Sequence, residues 1–257
     1  MELQNQEINE LVKAKKLLEA DDFSSKITSL LSEPVDTILK SLPKKWVAGI
    51  NISSEKAIKE AFKFSIKTIA PNKHHASSDR SHILSVMATG AAGGVFGLPG
   101  FIIEVPISTL IIMRSIADIA GSHGEDLSSP EARLACVEVL SIGGNRNNGM
   151  DYISSRLGSS IIITQAATYM AANTIPDETA PVLTQFIARV ASRFSAMVTE
   201  MAFTYFVPLV GSITGTFVNL LFIEHFQNMA HGHFIVRSLE RKYGQELIFK
   251  IYQDMKI

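Results

Sequence analysis

The chain has 257 residues, with 24 Lys and Arg against 25 Asp and Glu for a net charge of −1, and is long enough for one large domain with a sizeable core. Charged residues make up 19% and hydrophobic residues 46%, where about 25% charged is usual, which excludes a disordered chain and a disulfide-stapled mini-protein. No segment carries the excess of Lys and Arg that neutralising nucleic-acid phosphates requires, so a nucleic-acid partner is not expected.

Helices are expected at about 4–20, 24–32, 34–42 and 54–70, with Pro34, Pro43 and Pro71 as breakers. The N-terminal MELQNQEINELVKAKK lacks the basic and apolar regions of a signal peptide. A cytoplasmic location is therefore expected, at the inner face of the membrane if the next element is membrane-seeking. In the helix at 54–70, capped by Ser53 or Ser54, Ile58, Phe62, Ile66 and Ile69 recur on one side and Lys56, Lys59, Lys63 and Lys67 line the other. Lys44, Lys45 and Trp46 stand just before it, an aromatic beside two cations. Such an element rests on a membrane interface or packs its stripe on the core, and its sequence allows both.

Three stretches, 83–103, 157–176 and 202–223, contain no charged residue, and each is about long enough to span a bilayer. Glycines (Gly90, Gly93, Gly94, Gly97, Gly100, Gly211, Gly215), prolines and polar residues interrupt them, so they read as close-packed apolar hairpins, either buried in the core or inserted in or adhering to a membrane. Pro106 is expected to start a helix that runs to Ala120 and ends at Gly121 and Gly124. Ser128 or Ser129 caps the next, with Pro130 in its first turn and Gly143-Gly144 as its stop. No stretch alternates with period two between turns, so the fold class is all-α. A single domain is expected, with Gly-rich apolar hairpins wrapped by amphipathic N- and C-terminal helices; 1–72 form the N-terminal helices and 83–257 the helical core.

Charge type is unevenly spread. There is no lysine between Lys73 and Lys242, and residues 83–223 hold six arginines and ten acidic residues. Arginine is the cation expected where charges are buried in pairs. Arg114 and Asp118 are four apart and can pair, Glu138 lies beside Cys136 in an apolar run, and Arg193 and Glu200 lie seven apart on one face. Glu104, Asn219, His233, Arg237 and Glu240 complete a set of polar residues on apolar helices. These ten are candidates for a polar pocket, or for an Arg-carboxylate network that fixes helix register. Cys136 reads as a buried, inert thiol. Glu-x-x-His, His-Glu-x-x-His and Cys-x-x-Cys are all missing, and His74, His75 and His82 read as solvated, so no metal and no cofactor are expected. No P-loop, dinucleotide fingerprint or nucleophile elbow occurs.

Several blocks carry a resemblance. They are GAAGGVFGLPG leading to Glu104-Val105-Pro106, then RSIADIAGSHGEDLSSPEARLACVEVLSIGG, VASRF, the spacing of Pro208, Gly211, Gly215 and Asn219, and AHGHFIVRSLERKYG. On these the chain resembles the EcsC family over about 83–253, with Val105 and Ile107-Ser108 as mild departures. The resemblance implies a bacterial accessory role beside an ABC exporter and supplies no reaction. It also singles out Glu104, Arg114, Asp118, Gly124, Glu125, Asp126, Arg133, Glu138, Arg193, Asn219, His233, Arg237 and Glu240. The expected function is a membrane-associated accessory protein whose partner is a membrane lipid or a membrane protein. A hydrolase using Glu104, Asp118 and His233, and a soluble scaffold, are the alternatives. The sequence holds no signal for an oligomeric state.

Overall fold

The computed structural model describes residues 3–19, 26, 43–67, 82–86, 97–143, 152–173, 177, 179–203 and 213–255. Within them the regular structure is entirely helical, as the absence of period-two alternation predicts. The long helices are α1 (Asn5–Glu19), α2 (Lys44–Lys67), α3 (Gly97–Ser122), α4 (Pro130–Val139), α5 (Tyr152–Ala172), α6 (Pro181–Phe203), α7 (Ile213–Tyr243) and α8 (Gln245–Asp254). A short helical segment occupies 82–86. The expected helices at 24–32 and 34–42, apart from Lys26, and the glycines at 90–94 and 211 lie outside the described residues.

Helices α2, α3 and α7 organise the packing. α2 lies against α3, α4 and α6, while α7 lies against α1, α3, α4 and α8, and α5 bridges α4 to α6. Phe62, Phe101, Phe194, Phe226 and Phe234 are all at most 1% exposed and fill the space between these helices. α3 is the helix, among the described residues, long and apolar enough to cross a membrane, and 56% of its most apolar window is buried inside the protein. Most of its apolar surface is therefore consumed by the core. Polar ties recur along the α3–α7 seam: Asn219 Nδ2 donates to Glu104, Gln227 Nε2 to Ser115 Oγ at 3.0 Å, and His123 meets His231 at 3.1 Å. Both residue series ascend together, so the two helices run parallel.

Three helix boundaries differ from expectation for physical reasons. α3 begins at Gly97, nine residues before Pro106, which lies inside it. Proline has no N–H for the carbonyl four residues back, which is that of Ile102, and Ser53 Oγ of α2 donates to that carbonyl at 2.5 Å. Ser53 and Ser54 are consequently buried in the interior of α2 rather than capping it. The helix starts at Lys44, directly after Pro43, whose carbonyl accepts from Trp46 N at 2.9 Å. Gly121 lies inside α3, and the chain turns only at Gly124, which has φ of +77°. By contrast, Ser129 caps α4 as expected, accepting from Ala132 N at 3.2 Å, with Pro130 next to it.

Helix α1 is pinned to both α7 and α8. Glu7, in the first turn of α1, accepts from Gln4 N at 2.8 Å, a capping-box geometry, and is also held by Lys242 and Tyr243. Lys15, 9% exposed, donates to the carbonyls of Tyr252 at 2.8 Å and Met255 at 2.6 Å. Those are the terminal carbonyls of α8, where a cation also complements the helix dipole. Gly232 lets α1 and α7 approach: a Cβ there would stand 2.6 Å from Leu18 Cγ and 3.1 Å from the Ala14 carbonyl oxygen.

Candidate functional site

The densest polar cluster sits where α4, α5 and α7 converge. His233, Arg237 and Glu240 recur at i, i+4 and i+7 and so share one face of α7. Arg156 and Ser159, three apart on α5, face them, and Glu138 comes from the last turn of α4. Arg156 Nη1 donates to Glu138 Oε2 at 3.2 Å, and its Nη2 and Nε donate to the two oxygens of Glu240 at 2.8 and 3.3 Å. Ser159 donates to the other oxygen of Glu138. The planar guanidinium thus serves two carboxylates from two other helices, the arrangement that makes a buried arginine tolerable.

His233 is fully buried behind this pair. Burial, then the charges of Arg156 and Arg237, hold it well below the usual histidine range, so the ring is neutral. Its Nε2 faces Glu138 Oε2 at 3.8 Å. A carboxylate on that side favours the proton on Nε2, leaving Nδ1 to accept from the Tyr152 hydroxyl at 2.9 Å. Burial pushes the Tyr152 hydroxyl up, so it stays protonated as this bond requires.

A second fork adjoins the first. Gly124 turns the chain after α3 and presents Glu125, which is 7% exposed, to α7. Arg237 Nε and Nη2 donate to its two oxygens at 2.8 and 3.1 Å, and Arg241 donates to it as well. Arg241 Nη2 also donates to the His123 carbonyl at 2.8 Å. Arg237 Nη2 lies 3.3 Å from Glu131, whose side chain is 62% exposed. Together Glu131, Arg156, Arg237, Glu240, Arg241 and Gln245 border a cleft of about 220 Å³, with Ser160, Ile163 and Thr164 as its α5 wall.

The ten sequence candidates therefore do not form one pocket. Glu138, His233, Arg237 and Glu240 come together. Glu104 and Asn219 form a separate buried group with Ser108, whose hydroxyl donates to Glu104 at 3.0 Å. Asn219 is 14 residues from His233 on α7, about 21 Å along the axis, and Glu104 is as far from Asp118 on α3. The trio Glu104, Asp118 and His233 is thus not assembled as one hydrolase site. Arg114 and Asp118 are exposed, and no ion pair joins them. Asp118 instead meets His82 at 2.8 Å, so His82, only 8% exposed, is a partner rather than a solvated side chain. Arg193 is half-buried and bonds Ser155, while Glu200 is buried on α6. Burial raises the Cys136 thiol, in keeping with an inert role.

Arg156, Tyr152, Ser159, Glu131 and Arg241 belong to the cluster and were not among the candidates, while Glu125 was singled out only by the family resemblance. Arg156 carried a readable signal, being a cation in an apolar helix with no acid within four residues. Among the described residues no group of three or more His, Cys, Asp or Glu side chains could hold a metal.

The lysine face of α2 is only partly free. Lys44, Lys45, Lys56, Lys59 and Lys67 are exposed and Lys63 half-buried, but Lys59 pairs with Glu55 at 2.6 Å and Lys63 with Glu60 at 3.4 Å. Trp46 is half-buried against the core with Lys45 Nζ 5.5 Å from its ring centre.

The model of the EcsC protein family matches residues 5–239, so the chain belongs to that family. The match begins in α1, well before the blocks that carried the resemblance. No curated protein and no solved structure matches the chain.

Proposed function

We propose that this EcsC family chain is an accessory protein that docks peripherally on anionic membrane surfaces through the outer faces of α2 and α3. One observation carries the reading. Ile52 is 70% exposed, and Ile103 and Ile107 are 72% and 51% exposed. Ile52 and Ile103 adjoin Ser53 and Ile102, the residues that touch across the α2–α3 seam. Lys45, Lys56 and Lys59 lie seven before, four after and seven after Ile52 and so share its side of α2. Apolar side chains that dip into the acyl boundary, ringed by lysines that meet anionic headgroups, are the two components of interfacial binding. A cytoplasmic leaflet is the surface this chemistry suits. The polar cluster fits a structural role here: its buried carboxylates, Glu125, Glu138 and Glu240, are each met by arginine. Among the described residues no serine, threonine or cysteine is hydrogen-bonded to His233, whose hydroxyl partner is Tyr152, kept protonated by burial.

Flotation with anionic and neutral vesicles tests the proposal. Binding to anionic vesicles that weakens with salt, and that is lost in Ile52→Asp/Ile103→Asp and in Lys45→Glu/Lys56→Glu, is expected. If the native chain stays at the bottom of the gradient with every vesicle composition, the membrane role is wrong.

A further inference from the structure

We propose that the cleft between α4, α5, α7 and α8 is a binding site for a small oxyanion, a phosphate or carboxylate group, whose place on Arg237 is held by Glu131 when the site is empty. This goes beyond the membrane reading and uses none of its residues. Arg237 is buried, with its side chain 9% exposed, yet it borders the cleft. Its Nε and Nη2 are committed to Glu125. Among the described residues no acceptor meets Nη1, so two N–H groups of a buried guanidinium remain for a ligand.

The surroundings suit an oxyanion. Arg241 and Arg156 border the same space, Thr164 and Gln245 add uncharged polar groups, and Ile163 supplies an apolar patch. About 220 Å³ is room for several waters at about 30 Å³ each, and so for a phosphate group with part of what it esterifies. Arg237, Arg241 and Arg156 are balanced by Glu125, Glu138 and Glu240, leaving Glu131 as the one surplus carboxylate at the rim. It touches Arg237 by a single 3.3 Å contact from the first turn of α4 and is mostly solvated. An exposed contact of that kind is weak. A bidentate oxyanion replaces it with two charge-assisted hydrogen bonds, the geometry for which arginine is suited. Swinging Glu131 outward requires no change in the helices.

Titration of the full chain with inorganic phosphate, and separately with acetate, followed by calorimetry or by amide shifts in NMR spectra, tests this. Phosphate or acetate should bind at millimolar concentration. Glu131→Gln should tighten binding by about fivefold, and Arg241→Gln should weaken it by about as much, the range of a solvated ion pair. Both positions are exposed, so circular dichroism and Tm should confirm that the fold is kept. Parallel titrations with glycerol phosphate and with phosphatidate vesicles distinguish a free phosphate ester from a lipid headgroup. No binding of any of these by either the native chain or Glu131→Gln overturns the proposal. Binding that neither variant alters overturns it equally, since the anion then sits elsewhere. Loss of membrane docking by the α2 and α3 variants, with phosphate binding intact, keeps the two readings separate.

Discussion

Ser53 Oγ donates at 2.5 Å to the Ile102 carbonyl, the very carbonyl that Pro106 leaves without a helical donor. A proline inside a buried helix orphans one acceptor, and here a side chain from the neighbouring helix supplies the donor. Ser53→Ala should therefore cost about 1–3 kcal/mol, the penalty of an unsatisfied buried carbonyl. In a Pro106→Ala background, where the backbone N–H returns, the same change should cost less. Denaturant melts of the four proteins measure the coupling, and strictly additive effects would refute the pairing.

Arg156 bridges Glu138 and Glu240, which are 4% and 10% exposed in their side chains. Arg156→Met should destabilise by about 3–5 kcal/mol because two buried carboxylates lose their cation. Replacing all three with apolar residues of similar volume should recover most of that loss. Urea unfolding of the single and triple variants reads both, and a triple variant as unstable as the single would assign the network more than charge balance.

Arg114 and Asp118 give the contrasting expectation. Both are exposed, and Asp118 is paired with His82 and not with Arg114, so Arg114→Met should change stability by no more than about 0.5 kcal/mol. A large loss on thermal melting would place Arg114 in a buried contact. Their i, i+4 spacing told which face they share, and that was right, but spacing cannot tell whether that face looks inward. Periodicity did reveal α1 and the lysine side of α2, and of the two serines read as the next cap, Ser128 and Ser129, the second takes the role. What periodicity could not reveal were partners far apart in sequence. Arg156 finds its acids 18 residues back and 84 residues on, and Glu125 reaches Arg237 across 112 residues. Ser53 was misread because serine before an amphipathic stripe is a good cap. Only packing against Ile102 and Pro106 makes it a helix-interior donor.

Acid should unfold the protein in two stages. Burial, then the neighbouring charges of His231, Lys13 and Arg241, lower His123 from 6.5 to about 4. Hydrogen bonds from Lys242, Tyr243 and Gln4 lower Glu7 from 4.5 to about 2. In both cases the unfolded chain binds the proton first, so stability is whole at higher pH and falls as pH drops through the interval. The histidine contribution is lost between 6.5 and about 4, with His233 adding to it, and the Glu7 contribution between 4.5 and about 2. Tm against pH should show a shallower first slope in His123→Gln and a shallower second one in Glu7→Gln. Unchanged slopes would remove these groups from the acid response.

Gly232→Ala should loosen α1. The added methyl meets Leu18 Cγ at 2.6 Å and the Ala14 carbonyl at 3.1 Å, and a backbone atom yields less than a side-chain tip. Hydrogen exchange should rise selectively in α1 and in the last turn of α8, which Lys15 caps. Uniform exchange across the chain would speak against a local effect.

The clasp between Lys15 and the carbonyls of Tyr252 and Met255 spans 237 and 240 residues. Helix α1 therefore finds these hydrogen-bonding partners only after α2 to α8 have all been made. Before α7 is made, the apolar side of α1, Leu11, Ala14 and Leu18, lacks the helix that buries it, so α1 docks late however early it forms.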